Sequence, residues 1–204
     1  AEIVIVNAYD YKNNDKDSIK EIESKLSYHV FIKPSNSGSS VGITKAHNEE
    51  QLVLGINEAL KYDRKILVER AINAKEVEVG VLGNDDPMAA EPGEIIPDKE
   101  FYDYEAKYND SNSKLLIPAD LPKEKLEEAK SLAVKIFKIL DCAGMARVDF
   151  LVDKNTNEIY LNEVNTIPGF TNISMYPKMW EKSGKPYKEL IDELINFAIE
   201  RNNK

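Results

Sequence analysis

The stretch "ARVDFLVDKNTNEIYLNEVN" (residues 146–165) constrains the fold more than any other part of the chain. Two runs of alternating apolar and polar residues flank the turn sequence Asp-Lys-Asn-Thr-Asn-Glu, the pattern of an antiparallel hairpin with one buried face. Side chains on a strand alternate faces, so Arg147, Asp149 and Leu151 share one side, and Leu161, Glu163 and Asn165 share one side. Folding the hairpin onto one sheet brings two carboxylates, a carboxamide and a guanidinium together. Acids and amide oxygens are hard ligands, suited to Mg²⁺ whose remaining positions are filled by phosphate oxygens. The arginine sits where negative charge can develop. The competing account is a solvated strand face carrying one Arg–Asp pair, which contributes little. The run "NEVNTIPG" leads straight into a Pro-Gly turn, a mark of a shaped loop.

The elements around this hairpin give an α+β chain. "IVIV" reads as a short buried strand. "DSIKEIESKL" has helical spacing, with Ile19, Ile22 and Leu26 on one side. "HVFIKP" is a strand ended by Pro34. "NEEQLVLGINEALKY" is a helix entered through Asn48 as N-cap. "RKILVERAI" and "EVEVGVLGN" are strands, so the first part reads β-α-β-loop-α-β-β. Residues 85–122 are rich in proline and read as strands with long loops. "PKEKLEEAKSLAVKIFKILD" is the longest amphipathic helix, apolar at Leu126, Ala129, Leu132, Ala133, Ile136 and Leu140. "PYKELIDELINFAIERNNK" closes the chain as a helix that frays into polar residues. The expected boundary lies near Asn73-Ala74, giving a smaller lobe over 1–73 and a larger one over 74–204.

Bulk properties narrow the partners. A chain of 204 residues with 42% hydrophobic and 31% charged residues has ample material for packed cores. Its net charge of −9 argues against nucleic acid, although a local basic site for a small anion remains compatible with it. No apolar run reaches bilayer length, so no membrane partner is expected. A single cysteine, Cys142, excludes an internal disulfide framework and fits a reducing cytoplasm. The chain runs straight into a strand with no initiator methionine, which suggests an excised piece with sequence missing upstream.

A second candidate lies in "FIKPSNSGSSVG". Residues 33–42 hold two glycines and four serines, with Lys33 at the end of the strand. Glycines let backbone amides turn toward an anion, and serines add donors. A phosphate is the natural occupant; a flexible hairpin turn is the plainer alternative. This is not a P-loop, because no Gly-Lys-Ser/Thr follows. Elsewhere, Glu69 and Glu76 at strand ends could hold a base and ribose hydroxyls or be surface charge. Lys107 and Tyr108 lie in the aromatic, acidic "FYDYEAKY"; Phe101 and Tyr102 either stack on a base or belong to the core. "GFTNISMYP" offers Gly169 as a backbone donor and Ser174 as a hydroxyl for a carboxylate. His29 and His47 are far apart in sequence and lack a nearby cluster. Cys142 reads as buried filler. Nothing resembles a Ser-His-Asp or zinc arrangement.

Taken in order, "FIKPSNSGSSVGITKA", "LVERAINAKEVEVGVLG", "FYDYEAKY", "IPADLP", "ARVDFLVD" and "NEVNTIPGFTNISMYP" resemble the D-alanine–D-alanine ligases of the ATP-grasp superfamily. The resemblance covers most of residues 30–177. It implies an ATP-grasp fold, two α+β lobes with mixed, largely antiparallel sheets sandwiching the nucleotide. It implies ATP-dependent joining of two D-alanines through an acyl phosphate, for peptidoglycan synthesis. D-Ala–D-Ser or D-Ala–D-Lac ligation and a non-catalytic ATP-binding module are the alternatives. It further implies that Lys33 contacts the ATP phosphates and that a loop through Gly38, Ser39 and Ser40 closes over the site. Glu69, Ala71 and Ile72 would line the adenine, Glu76 the ribose, and Phe101 the base. Lys107 would meet the γ-phosphate, and Tyr108 would belong to a shielding loop. Asp149, Glu163 and Asn165 would hold two Mg²⁺ ions, with Mn²⁺ as a substitute. Arg147 and the amide of Gly169 would stabilise the oxyanion. Ser174 and the amide of Met175 would receive the second D-alanine. Whole ligases add an N-terminal domain that supplies a glutamate for the first D-alanine, and a further ATP-contacting lysine lies just upstream of this segment. The segment alone is thus expected to show little or no ligase activity, and the parent enzyme is expected to be a homodimer.

Overall fold

A computed structural model describes residues 2–38, 40–96, 114–171 and 173–203. The described residues form two compact units that divide after Ile72. In the first, the order is β1 (Ile3–Asn7), α1 (Ala8–Asn13), α2 (Asp15–Leu26), β2 (Val30–Pro34), β3 (Thr44–Ala46), α3 (Glu49–Ala59) and β4 (Lys65–Arg70). The second runs β5 (Ala74–Gly83), β6 (Met88–Ala89), β7 (Gly93–Ile96), β8 (Lys114–Leu116), α4 (Lys123–Ile139), β9 (Gly144–Asp153), β10 (Ile159–Asn165), α5 (Met175–Lys182) and α6 (Tyr187–Asn202). Every strand pair among the described residues is antiparallel.

The first unit is a four-stranded sheet in the order β1-β4-β2-β3. One face carries Val4, Val6, Val30, Ile32, Ala46, Ile66 and Val68. It packs under Ile19, Ile22 and Leu26 of α2 and Leu52, Ile56 and Ala59 of α3. Asn48 caps α3 as its side chain accepts from the Gln51 amide at 2.9 Å, in agreement with the sequence. The other face bears Ile3, Ile5, Phe31, Lys33, Leu67 and Glu69, as the cross-strand register dictates. The expectation of a fully buried "IVIV" is therefore corrected: Val4 and Val6 are buried, whereas Ile3 and Ile5 are 47% and 52% exposed. Among the described residues, helices cover one side of this sheet.

Two elements escape the sequence pattern. Helix α1 is six residues long, too short to show a helical period, and is anchored by buried Tyr11. Strand β3 is three residues whose only reason to be extended is pairing with β2, from Val30↔Ala46 to Ile32↔Thr44. That same pairing brings together the residues flanking it. His29 and His47, far apart in sequence, meet edge to face, with ring centroids 4.4 Å apart and their Nδ1 atoms in contact.

In the second unit β10-β9-β5-β7-β8 form one sheet, with β6 on β5. Helix α4 covers one face, where Ala129, Ala133 and Phe137 pack on Val77, Val79, Val81, Ala146, Val148, Phe150 and Val152. Among the described residues, the opposite face is covered at one end. There Tyr176, Met179 and Trp180 of α5 and Leu190 of α6 close over Leu82. Gly80 makes this approach possible, since a Cβ would come within 3.1–3.2 Å of the Trp180 and Tyr176 rings. The Tyr176 hydroxyl donates to the Val81 carbonyl at 2.9 Å. The other end of the face carries Glu76 and Glu78 of β5 beside Leu151 and Asp149 of β9. The turn between β9 and β10 is held by Asp153, whose carboxylate accepts from the amides of Asn155 (2.8 Å) and Thr156 (2.9 Å).

Helix α4 departs from its sequence reading at one end. Leu140 falls on the C-cap and is 55% exposed, whereas Phe137, absent from the expected apolar face, is fully buried. Phe137→Ala is expected to cost about 3–5 kcal/mol through cavity formation, while Leu140→Ala is expected to stay within about 0.5 kcal/mol. Urea denaturation of the two variants checks both values.

Candidate functional site

The polar end of the second unit's sheet is built by register. Glu78 lies across from Asp149, and Asp149 across from Glu163; Arg147 lies across from Asn165. This alignment requires a β-bulge in β10. The register steps from Leu161↔Phe150 to Glu163↔Asp149, so Asn162 is an extra residue. The sequence reading placed Leu161 on the face of Glu163 and Asn165; the bulge separates it from them, opposite Phe150. Strict alternation could not reveal the inserted residue.

Within this cluster the Arg147 guanidinium donates through Nε and Nη2 to the two oxygens of Asp149, each at 2.7 Å. Its Nε also lies 3.2 Å from Glu78 Oε2. Asn165 Nδ2 donates to Asp149 at 2.9 Å and to Glu163 at 3.3 Å. Asp149 is 8% exposed and Glu78 6%. Burial alone would lower the pKa of Arg147, but the hydrogen bonds to Asp149 and the charges of Glu78, Asp149 and Glu163 outweigh it, so the value is raised above the ordinary one. The guanidinium stays charged throughout the working pH range. Glu78 is the residue that sequence reasoning missed. Its signal was a charged residue at the strand position that shares a face with Glu76, and only the pairing of β5 with β9 gives it a partner.

Of these side chains, Asp149, Glu163 and Asn165 are the ones whose oxygens could hold a hard divalent cation. No group of three or more His, Cys, Asp and Glu among the described residues is arranged to hold a metal. The set offered is two carboxylates and an amide, which suits an ion that brings water and phosphate oxygens of its own.

A second group forms after β10. The Thr171 amide donates to Ser174 Oγ at 3.0 Å, and the two hydroxyls lie 2.9 Å apart. A Cβ on Gly169 would stand 2.9 Å from the same oxygen, so the glycine lets the backbone come close to Ser174. Ser174 is the N-cap of α5, and Met175 opens the helix with its side chain buried in the core. Only the Met175 backbone can therefore serve a ligand.

The first unit holds a third group. Lys33 and Glu69 form an ion pair at 2.8 Å, both about one-fifth exposed, on the sheet face away from the helices. The Ala71 amide donates to the His29 carbonyl at 3.0 Å, fixing the chain that leads to Ile72. The loop after β2 is tied down at its start: the amide and side chain of Asn36 both donate to Asp63, at 2.9 and 2.8 Å. Burial pushes the Asp63 pKa up, but these bonds and those from Lys65 and Arg64 pull it further down, below the ordinary carboxylate value. Ser40 and Gly42 take left-handed conformations, with φ of 62° and 73°. At Gly42 a side chain would also strike the Tyr62 ring, which stands 2.6 Å from where a Cβ would lie. Asn36 is thus an anchor for the loop, and its partner Asp63 had no local sequence signal. Ser39, Phe101, Lys107 and Tyr108 lie outside the described residues.

Comparison with known proteins follows the same lines. Residues 1–196 match the family model described as D-ala D-ala ligase C-terminus. The chain is 70% identical over its whole length to a D-alanine–D-alanine ligase of Clostridium novyi, and 66% identical to D-alanine–D-alanine ligase B of Clostridium tetani. It spans 60% and 56% of those two relatives. Among solved structures, it superposes on the VanG D-Ala:D-Ser ligase of Enterococcus faecalis with a TM-score of 0.84 at 38% identity, covering 96% of this chain and 56% of that one. The D-alanine–D-alanine ligase of Coxiella burnetii gives 0.82 at 36%, covering 99% and 52%. These likenesses establish the ATP-grasp fold. The chain belongs to the D-alanine–D-alanine ligase family, whose C-terminal part it matches.

Proposed function

We propose that this chain is the nucleotide- and metal-handling part of a D-alanine–D-alanine ligase. The observation that carries this reading is the gathering of Arg147, Asp149, Glu163 and Asn165 on one sheet face, in a chain 70% identical along its whole length to such a ligase. The reaction joins two D-alanines. The carboxylate of the first takes the γ-phosphoryl group of ATP and becomes an acyl phosphate. The amine of the second attacks that carbonyl, and the tetrahedral adduct collapses to dipeptide and phosphate, which feeds peptidoglycan synthesis in the cytoplasm. Phosphoryl transfer of this kind needs positioning and charge neutralisation more than covalent chemistry from the protein.

The residues divide that work. Lys33 supplies a fixed positive charge for the phosphates, and Glu69, Ala71 and Ile72 border the base. Glu76 hydrogen-bonds the ribose. Ser39 and Ser40 lie in the loop that closes over the reacting groups, and Phe101, Lys107 and Tyr108 take the roles of base packing, γ-phosphate contact and shielding. Asp149, Glu163 and Asn165 would hold the two Mg²⁺ ions, or Mn²⁺ in their place, which would offset charge on the phosphate oxygens. Arg147 and the Gly169 amide face the oxygen of the tetrahedral adduct. Ser174 and the Met175 amide receive the carboxylate of the second D-alanine. The full-length protein acts as a homodimer. D-alanine is favoured over D-serine as second substrate because the 70%-identical relative carries the D-alanine name, whereas the D-Ala:D-Ser ligase is 38% identical.

Calorimetric titration of the chain with ATP in the presence and absence of Mg²⁺ tests the reading. Lys33→Ala is expected to weaken nucleotide binding about 10- to 100-fold through loss of charge-assisted hydrogen bonds; unchanged affinity would remove Lys33 from the site. Glu163→Gln is expected to weaken binding much more with Mg²⁺ than without it, and equal effects in the two conditions would argue against a metal role. In the full-length enzyme, phosphate release driven by paired D-alanine, against D-alanine with D-serine, decides the second substrate.

A further inference from the structure

We infer that Glu78 is a positioning residue for Arg147: it is the carboxylate to which the guanidinium passes when Asp149 turns its oxygens to a divalent cation. This rests on the reading of Asp149, Glu163 and Asn165 as a metal site.

The difficulty that Glu78 resolves is visible in the geometry. Arg147 occupies both oxygens of Asp149 at 2.7 Å, and Asn165 shares one of them. A cation at Asp149 needs at least one of those oxygens, so the guanidinium has to yield. An arginine whose side chain is 20% exposed cannot be left without a counter-charge except at a cost of several kcal/mol. Glu78 stands ready on the other side. It lies on β5, across from Asp149, with Oε2 already 3.2 Å from Arg147 Nε. Glu163 and Asn165 lie on β10, the opposite flank of β9. Arg147 therefore leans toward β5 as Asp149 opens toward β10, and the two flanks do not compete for the same space.

Charge balance points the same way. Among the described residues, Glu78, Asp149 and Glu163 all act on the Arg147 charge, so a cation drawn to Asp149 and Glu163 leaves Glu78 as the carboxylate that still faces the guanidinium. Burying Glu78 at 6% exposure is costly unless its partner is always present. Arg147 supplies that partner in both arrangements, sharing itself with Asp149 in one and resting on Glu78 in the other. The exchange also leaves Nη groups of Arg147 turned away from Asp149, free to face a developing oxyanion. Metal loading and arming of the arginine become one event.

Mn²⁺ titration of this chain, followed by the electron paramagnetic resonance of the free ion, tests the exchange. Asp149→Asn is expected to abolish binding. Glu78→Gln is expected to weaken Mn²⁺ binding about tenfold when Arg147 is present, because the guanidinium then has only Asp149 to hold. In an Arg147→Met background, Glu78→Gln is expected to change affinity less than about twofold. An equal loss in both backgrounds, with Asp149→Asn still defective, overturns the exchange and makes Glu78 a direct electrostatic contributor. Unchanged Mn²⁺ affinity in Asp149→Asn overturns the metal site itself. A second readout holds if the arginine variant fails to fold. The Arg147 Nε–H resonance of the otherwise native chain should shift on Mg²⁺ addition and remain protected from water, whereas in Glu78→Gln it should exchange rapidly once Mg²⁺ binds. A resonance that Mg²⁺ leaves unmoved in both proteins overturns the proposal.

Discussion

Strands β5 and β9 pair along their full lengths, from Ala74↔Asp153 to Gly83↔Gly144, and the second unit is organised around that ladder. Because side chains alternate, one choice of register fixes two surfaces at once. Val77, Val79, Val81, Val148, Phe150 and Val152 go to the side that α4 covers. Glu76, Glu78, Arg147 and Asp149 go to the other. A slip of one residue would bury the charges under α4 and expose the valines. The hydrophobic core under α4 therefore holds the polar face in place without touching it.

The two faces also explain where the chemistry can occur. On the polar face, α5 and α6 close over one end through Leu82 and Gly80 and leave the other end to Glu78 and Asp149. The arginine is then flanked by carboxylates in a partly buried setting, where charge interactions are stronger than at an open surface. Such a cluster is poorly explained as a device for stability. Buried ion pairs lose about as much through desolvation as they gain, and apolar replacements often do as well or better. In the function proposed above, the cluster is the place of a cation and a reacting anion. The first unit repeats the logic: helices cover one face of its sheet, and Lys33 and Glu69 occupy the other.

Much of this was legible in the sequence because the relevant residues sit in strongly periodic runs. The hairpin of β9 and β10 and the helix α4 carried their own patterns, and Asn48 showed its capping role locally. The motifs in their order pointed to the right family. What escaped were features whose cause is non-local. Strand β3 exists only by pairing, the His29–His47 contact follows from that pairing, and Asp63 holds Asn36 from 27 residues away. The bulge at Asn162 was hidden because periodicity assumes that no residue is inserted.

By itself the sequence determined the long strands and helices, most of their apolar faces and most of the candidate polar groups, since each depends on residue type and on neighbours within a few positions. The tertiary structure alone decided which of these groups meet. Glu78 is an ordinary alternating residue of β5 until β9 lies beside it, and Arg147 gains a second carboxylate only through that neighbour. Cross-strand distances of a few ångströms join residues nearly seventy positions apart, and no local preference encodes them.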